Sequence, residues 1–367
     1  MGSLKRSLAN NILTSGKFDA TDLTGNLPSS NIANASMTSI TAFPASAGSA
    51  IASVASDPPA PTVGDVWYNT TSNALKYAGV GVGSWTSGGN MNTARANLGG
   101  AGIQTATLGF GGQNPSPTGA TEEYNGSSWT NSNSMNTART GLGDCGTQTA
   151  ALGFGGNDGT APTGSTEEYD GNSWAASNSM NTARGSLAGA GTQTAGLGFG
   201  GRPAPSPADR TGATEEYDGT SWTTSPGSMN TARQALEGCG TQTAGLVFGG
   251  SLPPAGARTG ATEEYDGTSW ATSNSLNTVR EDAGGVGIQT AALAFGGYSG
   301  TAILTATEEY DGTSWTTSPG SLNTAVYILG GAGTQTAGLA FGGNFPYTAA
   351  TEEWTVSAFT AKTITTA

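Results

Sequence analysis

The chain has 367 residues, of which 59 are glycine and none is histidine, with 11% charged residues and a formal net charge of −13. Binding to phosphate backbones needs clustered Lys and Arg, so this charge balance argues against a nucleic-acid partner. A chain so poor in large apolar residues is expected to be disordered unless a repeated pattern places those residues at buried positions.

Residues 1–62 contain no repeat and no long apolar stripe, and they are rich in Ser, Thr, Asn and Ala. We expect an extended N-terminal arm that becomes ordered by binding a partner, with a short helix over residues 46–54 before Pro58 and Pro59. The opening MGSLKRSLANNIL has too few apolar residues for a signal peptide, and no run approaches the roughly 20 residues of a membrane span. We therefore expect synthesis in a cytoplasm and no membrane insertion.

A junction over residues 63–84 contains the strand-like Ala74-Leu75-Lys76-Tyr77, and six similar repeats follow it. Each repeat opens with M/L-N-T and carries Phe-Gly-Gly 19 residues later, and these Phe residues are spaced by 44 to 49 residues. Such a period indicates propeller blades or another repeat array. Repeats 1 to 6 open at Met91, Met135, Met180, Met229, Leu276 and Leu322.

Four strand-like segments, a to d, are predicted in each repeat. In repeat 4, Leu246 and Phe248 alternate with small residues as in a half-buried strand b, and a glycine pair ends it. The following T-E-E-Y is strand c, and an Asp-Gly turn joins it to strand d, which carries a Trp. Strand a, predicted in repeat 3 to include residues 184–190, is made of small residues, which suit an innermost position.

We expect the first glycine of each pair and the Trp of each strand d to be structural. They are Gly111, Gly155, Gly200, Gly249, Gly296 and Gly342, and Trp85, Trp129, Trp174, Trp222, Trp270 and Trp315. Trp85 precedes repeat 1, whereas repeat 6 lacks its own D-G-x-S-W segment. A strand around Trp85 that completes repeat 6 would close a ring of six blades and remove its exposed sheet edges.

The glycine pair followed by a Tyr and a Trp at fixed offsets, with an Arg opening the unit, resembles the kelch repeat. In repeat 4 these residues are Arg233, Gly249, Gly250, Tyr265 and Trp270. The resemblance covers about residues 85–356 and implies an all-β, six-bladed kelch-like β-propeller. With the N-terminal arm, the predicted domains are residues 1–62, the junction 63–84, the propeller 85–356 and a C-terminal tail 357–367.

Length varies mainly between strands b and c, where the loop has 7 to 12 residues, and strand order places these six loops on one face. Loops on a rigid scaffold commonly bind partners, although tolerated surface insertions would look the same. The candidate binding residues are Arg202, Asp209, Arg210, Arg258, Tyr298, Phe345 and Tyr347.

Six Glu pairs, from Glu122-Glu123 to Glu352-Glu353, recur in strand c. Because a catalytic site needs one asymmetric constellation, sixfold repetition indicates a structural role, with the repeated Arg of M/L-N-T-A/V-R as the expected partner. Val326 replaces that Arg in repeat 6. Calcium binding at the acidic Asp-Gly turns stays open as an alternative.

Catalysis is not expected. The copper oxidases of kelch type use histidine ligands, and His-activated nucleophiles need one too, so we predict no enzyme, no catalytic residue, no cofactor and no metal. Cys145 and Cys239 occupy a repeat position held elsewhere by small apolar residues, which indicates buried free thiols.

The arm, the stretch Gly64-Asp65-Val66-Trp67-Tyr68 and the repeated G-T-Q-T-A-x-L-x-F-G-G are similar to junctions and repeats in fibre and appendage proteins of tailed bacteriophages, especially marine phages. This resemblance implies a virion protein, which we expect to be a homo-oligomer. Its residues 1–62 are expected to bind other virion proteins, and its loops are expected to bind a host cell-surface glycan or protein. The alternative is a head or tail decoration module whose propeller contacts neighbouring virion subunits.

Overall fold

The computed structural model describes residues 51–61, 65–203, 209–253, 257–344, 346–357 and 359–364. All regular secondary structure within them is β, in seven four-stranded sheets and one two-stranded sheet. The described residues form two compact units, one of residues 83–355 and one of residues 51–82 with 356–364. In this part of the chain no helix has the length and hydropathy of a transmembrane span.

The flanking unit contains one sheet, in the strand order Ala52–Val54, Val66–Asn69, Ala74–Val80 and Phe359–Thr363. Its first pair is parallel and the others are antiparallel. The helix predicted over residues 46–54 is therefore wrong for 52–54, whose backbone pairs with Val66–Asn69, while residues 46–50 lie outside the described residues.

Asp57 joins the strands of this flanking unit. Its Oδ1 accepts hydrogen bonds from Trp67 Nε1 at 2.9 Å and Asn69 Nδ2 at 2.7 Å, and Lys76 Nζ lies 2.8 Å from Oδ2. The bond from Lys76, followed by those from Trp67 and Asn69, lowers the pKa of Asp57 to about 2. The carboxylate therefore stays charged through the neutral pH range.

In the larger unit, residues 83–355, repeats 1 to 5 each supply one antiparallel sheet in the order a, b, c, d, and repeat 6 supplies the first three strands of a sixth four-stranded sheet. Strands a are Gly99–Ile103, Gly143–Thr147, Ala188–Thr192, Glu237–Thr241, Gly284–Ile288 and Gly330–Gly333. Strands b are Ala106–Phe110, Ala150–Phe154, Ala195–Phe199, Ala244–Phe248, Ala291–Phe295 and Ala337–Phe341. Strands c are Thr121–Tyr124, Thr166–Tyr169, Thr214–Tyr217, Thr262–Tyr265, Thr307–Tyr310 and Thr351–Val356. Strands d are Trp129–Ser132, Trp174–Ser177, Trp222–Thr224, Trp270–Ser273 and Trp315–Thr317, and the sixth sheet takes Gly83–Ser87 as its outer strand. The b–c loop of repeat 4 adds the two-stranded sheet of Ser251–Leu252 and Ala257–Arg258.

Strand b is more deeply buried than its sequence pattern predicts. Leu246 and Phe248 are buried, as expected, but so are the intervening Val247 and the preceding Gly245. Both faces are covered because the sheets of neighbouring repeats pack on either side, so the expectation of a half-buried strand is corrected.

Strand a begins later than predicted, at Ala188 rather than near Arg184, because Ser186 adopts a left-handed φ of 52° that interrupts extended backbone. Its small residues allow close approach between sheets. A Cβ added to Gly189 would lie 2.3 Å from the backbone oxygen of Asp144 in the preceding repeat.

Backbone hydrogen bonds at the start of strand a link all six repeats in turn. Six residues at equivalent positions, all with φ between 52° and 58°, each donate an N–H to the carbonyl of the equivalent residue in the preceding repeat. The bond from repeat 1 goes to repeat 6, so the set forms a cycle. The residues are Asn97, Gly141, Ser186, Ala235, Asp282 and Ile328.

Aromatic contacts join neighbouring sheets in the same order. Trp174 Nε1 donates to Thr121 Oγ1 of repeat 1 at 3.0 Å, and its ring centroid lies 4.8 Å from that of Phe110. Trp129 makes the corresponding contacts with Thr351 and Phe341 of repeat 6. All six Trp residues of strands d are buried and donate to a Thr in this way.

Candidate functional site

The variable b–c loops lie beside the M/L-N-T segments at one end of each sheet. The N–H of Met135 donates to the carbonyl of Gly119 in a b–c loop at 2.8 Å, and the equivalent bond recurs in the other repeats. At the opposite end the a–b and c–d turns meet, where a Cβ on Gly126 would lie 3.3 Å from Thr105. We call these the loop end and the turn end of each sheet.

At the loop end, two of the predicted binding residues, Arg258 and Tyr298, come together with Glu281. Arg258 Nε donates to Glu281 Oε1 at 2.8 Å, and its guanidinium carbon lies 4.9 Å from the Tyr298 ring centroid. The Tyr298 hydroxyl donates to the carbonyl of Gly300 at 2.8 Å. Arg258 Nη2 also forms an ion pair with Glu281, and both side chains remain partly exposed, at 22% and 13%. A cation over an aromatic face fixes both groups without removing them from solvent.

Arg210 and Arg202 extend this cluster into repeat 3. Arg210 Nη2 donates to Ser251 Oγ at 3.2 Å, and Arg202 exchanges both backbone hydrogen bonds with Gly185. Burial lowers the pKa of Arg210, the like charge of Arg202 acts in the same direction, and Glu281 opposes both. We call Arg202, Arg210, Arg258, Glu281 and Tyr298 the Arg–Tyr patch.

The patch differs in charge from the rest of its unit. Among residues 83–355, every Lys or Arg outside the patch is the repeated Arg of the M/L-N-T segment, which is fully buried. The patch contains three guanidinium groups and one carboxylate, and the exposed Asp209 lies next to Arg210 in sequence. The patch therefore places the accessible positive charge of residues 83–355 in one place.

The other predicted binding residues do not join the patch. Tyr347 lies in repeat 6, where it lines a cavity beside Val326. Phe345 lies outside the described residues. The six variable loops thus share the same end of their sheets, but only those of repeats 3 to 5 contribute to the patch.

The first Glu of each strand c forms a buried structural site, as the sixfold pattern predicts. Glu263 is 1% exposed and accepts from the N–H of Asn230 at 2.6 Å, and Arg233 Nη1 lies 2.7 Å from its Oε1. The same ion pair occurs in repeats 1, 2, 3 and 5. Burial lowers the pKa of these arginines, and the negative charge of the partner Glu partly opposes that effect. The pKa of Arg184 falls to about 10, so its guanidinium remains charged at neutral pH.

The second Glu of strand c has a different partner, which sequence reasoning missed. The Tyr265 hydroxyl donates to Glu216 Oε1 of the preceding repeat at 2.5 Å. Burial, and then this carboxylate, raise the pKa of Tyr265 to about 12. Four equivalent Tyr-to-Glu bonds join other repeats, including one from Tyr124 to Glu353. The signal was the fixed offset between Glu and Tyr in T-E-E-Y.

The Asp-Gly turns use their carboxylates internally. Asp266 Oδ1 accepts from the N–H groups of Thr268 and Ser269, both at 2.8 Å, and the hydrogen bond from Thr268 Oγ1 is the main cause that lowers its pKa to about 2. Among the residues that the structure describes, no group of three or more Cys, Asp and Glu is placed to hold a metal ion.

Three carboxyl groups at the start of strands a were not anticipated. Burial raises the pKa of Asp144 and of Asp282 to about 7 and raises that of Glu237 well above its ordinary value. Cys145 and Cys239 are buried free thiols, as predicted, and burial raises their pKa. No repeated motif marks the three acids, because each occupies a position that other repeats fill differently.

No protein-family model matches the chain, and no curated protein is similar to it in sequence.

Proposed function

We propose that this chain is a bacteriophage virion protein, a tail fibre or appendage adhesin that anchors by its N-terminal residues 1–62 and recognises the host surface with its repeats. Within this proposal, the six repeats are blades of a closed, kelch-like β-propeller. Two features support closure: the cycle of backbone bonds that returns from Asn97 to Ile328, and the Trp129 contacts with repeat 6.

The observation that carries the proposal is the Arg–Tyr patch. Arg and Tyr are enriched where binding energy concentrates, because both present large planar surfaces together with hydrogen-bond donors. The patch lies on loops whose lengths vary, while the scaffold beneath them is held by repeated buried bonds. A host glycan or surface protein with carboxylate or hydroxyl groups suits three guanidinium groups and one phenol.

A triple variant, Arg258→Ala, Tyr298→Ala and Tyr347→Ala, tests the recognition surface. We expect adsorption of particles carrying it to fall about tenfold or more, as is typical when central interface residues are truncated. The matched control is Ile103→Ala with Ile288→Ala, which truncates residues 55% and 54% exposed at the turn end. Adsorption that stays at the wild-type level in the triple variant would count against host recognition by this surface.

Incorporation into particles separates the two virion roles. Under the adhesin proposal the triple variant enters particles normally and only adsorption falls. Reduced incorporation with adsorption unchanged per particle-bound copy would favour the alternative, a head or tail decoration module whose loops contact neighbouring subunits.

Deletion of residues 1–50, which keeps strand Ala52–Val54 and Asp57 in place, tests the anchor. We expect the repeats to fold, as shown by an unchanged circular dichroism spectrum, while the protein no longer joins particles. Normal incorporation of the shortened chain would refute the anchoring role.

A further inference from the structure

Repeat 6 keeps the binding partners of the repeated arginine but lacks the arginine itself. In five repeats the fifth residue of the M/L-N-T segment is Arg with a fully buried side chain, whereas repeat 6 has Val326. The backbone role of the position is kept, because the carbonyl of Val326 still accepts the N–H of Gly297 at 2.9 Å. Only the guanidinium is missing.

Repeat 2 shows what the guanidinium normally contacts. Arg139 Nη1 donates to the carbonyls of Gly155 at 2.9 Å and Ser165 at 2.5 Å. Its Nη2 donates to the carbonyl of Gly153 at 3.4 Å and lies 3.0 Å from Glu167 Oε1. Three carbonyl oxygens and one carboxylate thus form a planar-cation site, and repeats 3 and 5 use equivalent acceptors.

The equivalent acceptor residues in repeat 6 line a cavity of about 180 Å³. Ala340, Gly342 and Ala350 replace Gly153, Gly155 and Ser165 in register, and Glu352 replaces Glu167. Val326, the residue at the arginine position, also lines the cavity. For scale, an apolar cavity of about 150 Å³ accommodates benzene.

Glu352 holds a negative charge at this cavity. It is 7% exposed, and it keeps the bonds from the N–H groups of Asn323 at 2.8 Å and Thr324 at 3.3 Å. The side-chain Nδ2 of Asn323 donates a further bond to it at 2.7 Å, a neutral contact that supplies no counter-charge. Within the described part of the chain no Lys or Arg forms an ion pair with it. A buried carboxylate without a cation is costly, since it has lost water without gaining a counter-charge.

We propose that this cavity binds the alkylguanidinium group of a ligand from outside the chain. The lining includes the exposed Thr324 and Pro346, so the cavity reaches the surface at the loop end. Tyr347, half-buried, also lines it and supplies an aromatic ring, a surface on which guanidinium groups stack. The site is a vacant copy of the internal arginine position.

Titration with methylguanidinium at millimolar concentration, followed by NMR or calorimetry at constant ionic strength, tests the site. We expect saturable binding of one equivalent to the wild-type chain and none of tetramethylammonium, which has the charge but no N–H donors. Glu352→Gln should weaken binding about tenfold or more, the range for a hydrogen bond to a charged group. Val326→Arg should abolish it by occupying the cavity.

Arg139→Val is the matched positive control, because it should create a second cavity beside Glu167 and a second equivalent of binding. Should that variant unfold, Val326→Arg and Glu352→Gln still decide the matter. Binding that is absent in the wild type, or that persists unchanged in both of these variants, overturns the proposal. The blocked peptide acetyl-Gly-Arg-Gly-amide distinguishes sources: competition with methylguanidinium assigns the site to an arginine of a partner chain, and no competition assigns it to small free guanidines.

Discussion

At the scale of single residues, a left-handed backbone position is tolerated in this protein even where it disfavours the residue present. Among the six residues of the backbone cycle only Gly141 is glycine, although all six have φ near 55°. A residue with a Cβ costs roughly 1–2 kcal/mol in this conformation, least when its neighbours leave space. The repeats accept that cost because each of these residues donates the bond that joins it to its neighbour.

We expect Gly141→Ala to lower the free energy of unfolding by about 1 kcal/mol, because a Cβ there would lie 3.4 Å from Ser186 N, an ordinary contact. Gly111→Ala should cost more, since φ is similar at 65° but the new Cβ would lie 2.9 Å from the carbonyl oxygen of Arg139. Urea denaturation of both variants measures the difference. Equal costs would show that steric clash at the glycine pair is relieved by movement.

The Tyr-to-Glu bond between repeats offers a matched pair for mutation. Glu264 accepts the Tyr310 hydroxyl at 2.5 Å, whereas the equivalent Glu309 faces a repeat that has Trp354 at the Tyr position. We expect Glu264→Ala to destabilise by about 1–2 kcal/mol and Glu309→Ala by no more than about 0.5 kcal/mol. Thermal denaturation of these variants checks this. Tyr310→Phe, and the double variant Tyr310→Phe with Glu264→Ala, test whether the two side chains are energetically coupled. Additive effects of the two single changes would mean that the bond contributes no stability.

At the scale of strands, strands a of neighbouring repeats contact one another and bring acidic groups into a poorly solvated region. Asp144 follows the first residue of its strand, and Glu237 begins the equivalent strand of repeat 4. Burial disfavours the charged form of both, and the like charge of Asp144 further raises the pKa of Glu237. These strands are therefore sensitive to pH in a way that the exposed turns are not.

We expect the stability of the protein to fall as pH rises from about 4 to about 7. The pKa of Asp144 is about 7 in the folded chain and ordinarily 3.8, so the folded state holds the extra proton over this range. Asp144→Asn should make the fall shallower, by at most about 1.4 kcal/mol per pH unit, the limit for one proton. Denaturation at pH 5 and pH 7.5 measures it. The control is Asp170→Asn, at an exposed turn whose carboxylate has a lowered pKa; it should leave the change in stability between these pH values unchanged. If Asp144→Asn shows the same change in stability with pH as the wild type, Asp144 is not the group responsible.

Prediction from sequence succeeded where a position recurs in several repeats. The residues of strands b, c and d, the buried Trp residues and the paired Glu and Arg residues each recur at a fixed spacing. Each repeat therefore gives an independent check of the same local pattern. It failed where only packing brings residues together. Glu281 precedes a strand a, whereas Arg258 and Tyr298 lie in b–c loops. Asp144 and Glu237 lie in strands a of two different repeats and still interact electrostatically. Val326 stood out as a break in the pattern, but whether its neighbours would fill the vacated space depends on side-chain packing that no spacing reveals.

At the scale of the whole molecule, the outer strand Gly83–Ser87 is the place to test whether the larger unit is a closed ring. Trp85 Nε1 donates to Thr307 Oγ1 at 2.9 Å, and its ring lies 4.9 Å from Phe295, the same contacts that Trp174 makes within the array. In an open array, loss of a terminal contact frays only the last repeat, because each repeat depends on its neighbours alone. In a closed ring there is no terminal repeat.

We therefore expect Trp85→Ala and Trp174→Ala to lower the unfolding free energy by similar amounts, about 3–5 kcal/mol each, with one cooperative transition in both. Differential scanning calorimetry of the two variants measures this, and Val279→Ala, at a residue 44% exposed, serves as the neutral control. Under the proposed closure the cost is equal, because removing either Trp weakens one of six equivalent contacts between neighbouring sheets. A separate low-temperature transition in Trp85→Ala alone would instead identify repeat 6 as the frayed end of an open array.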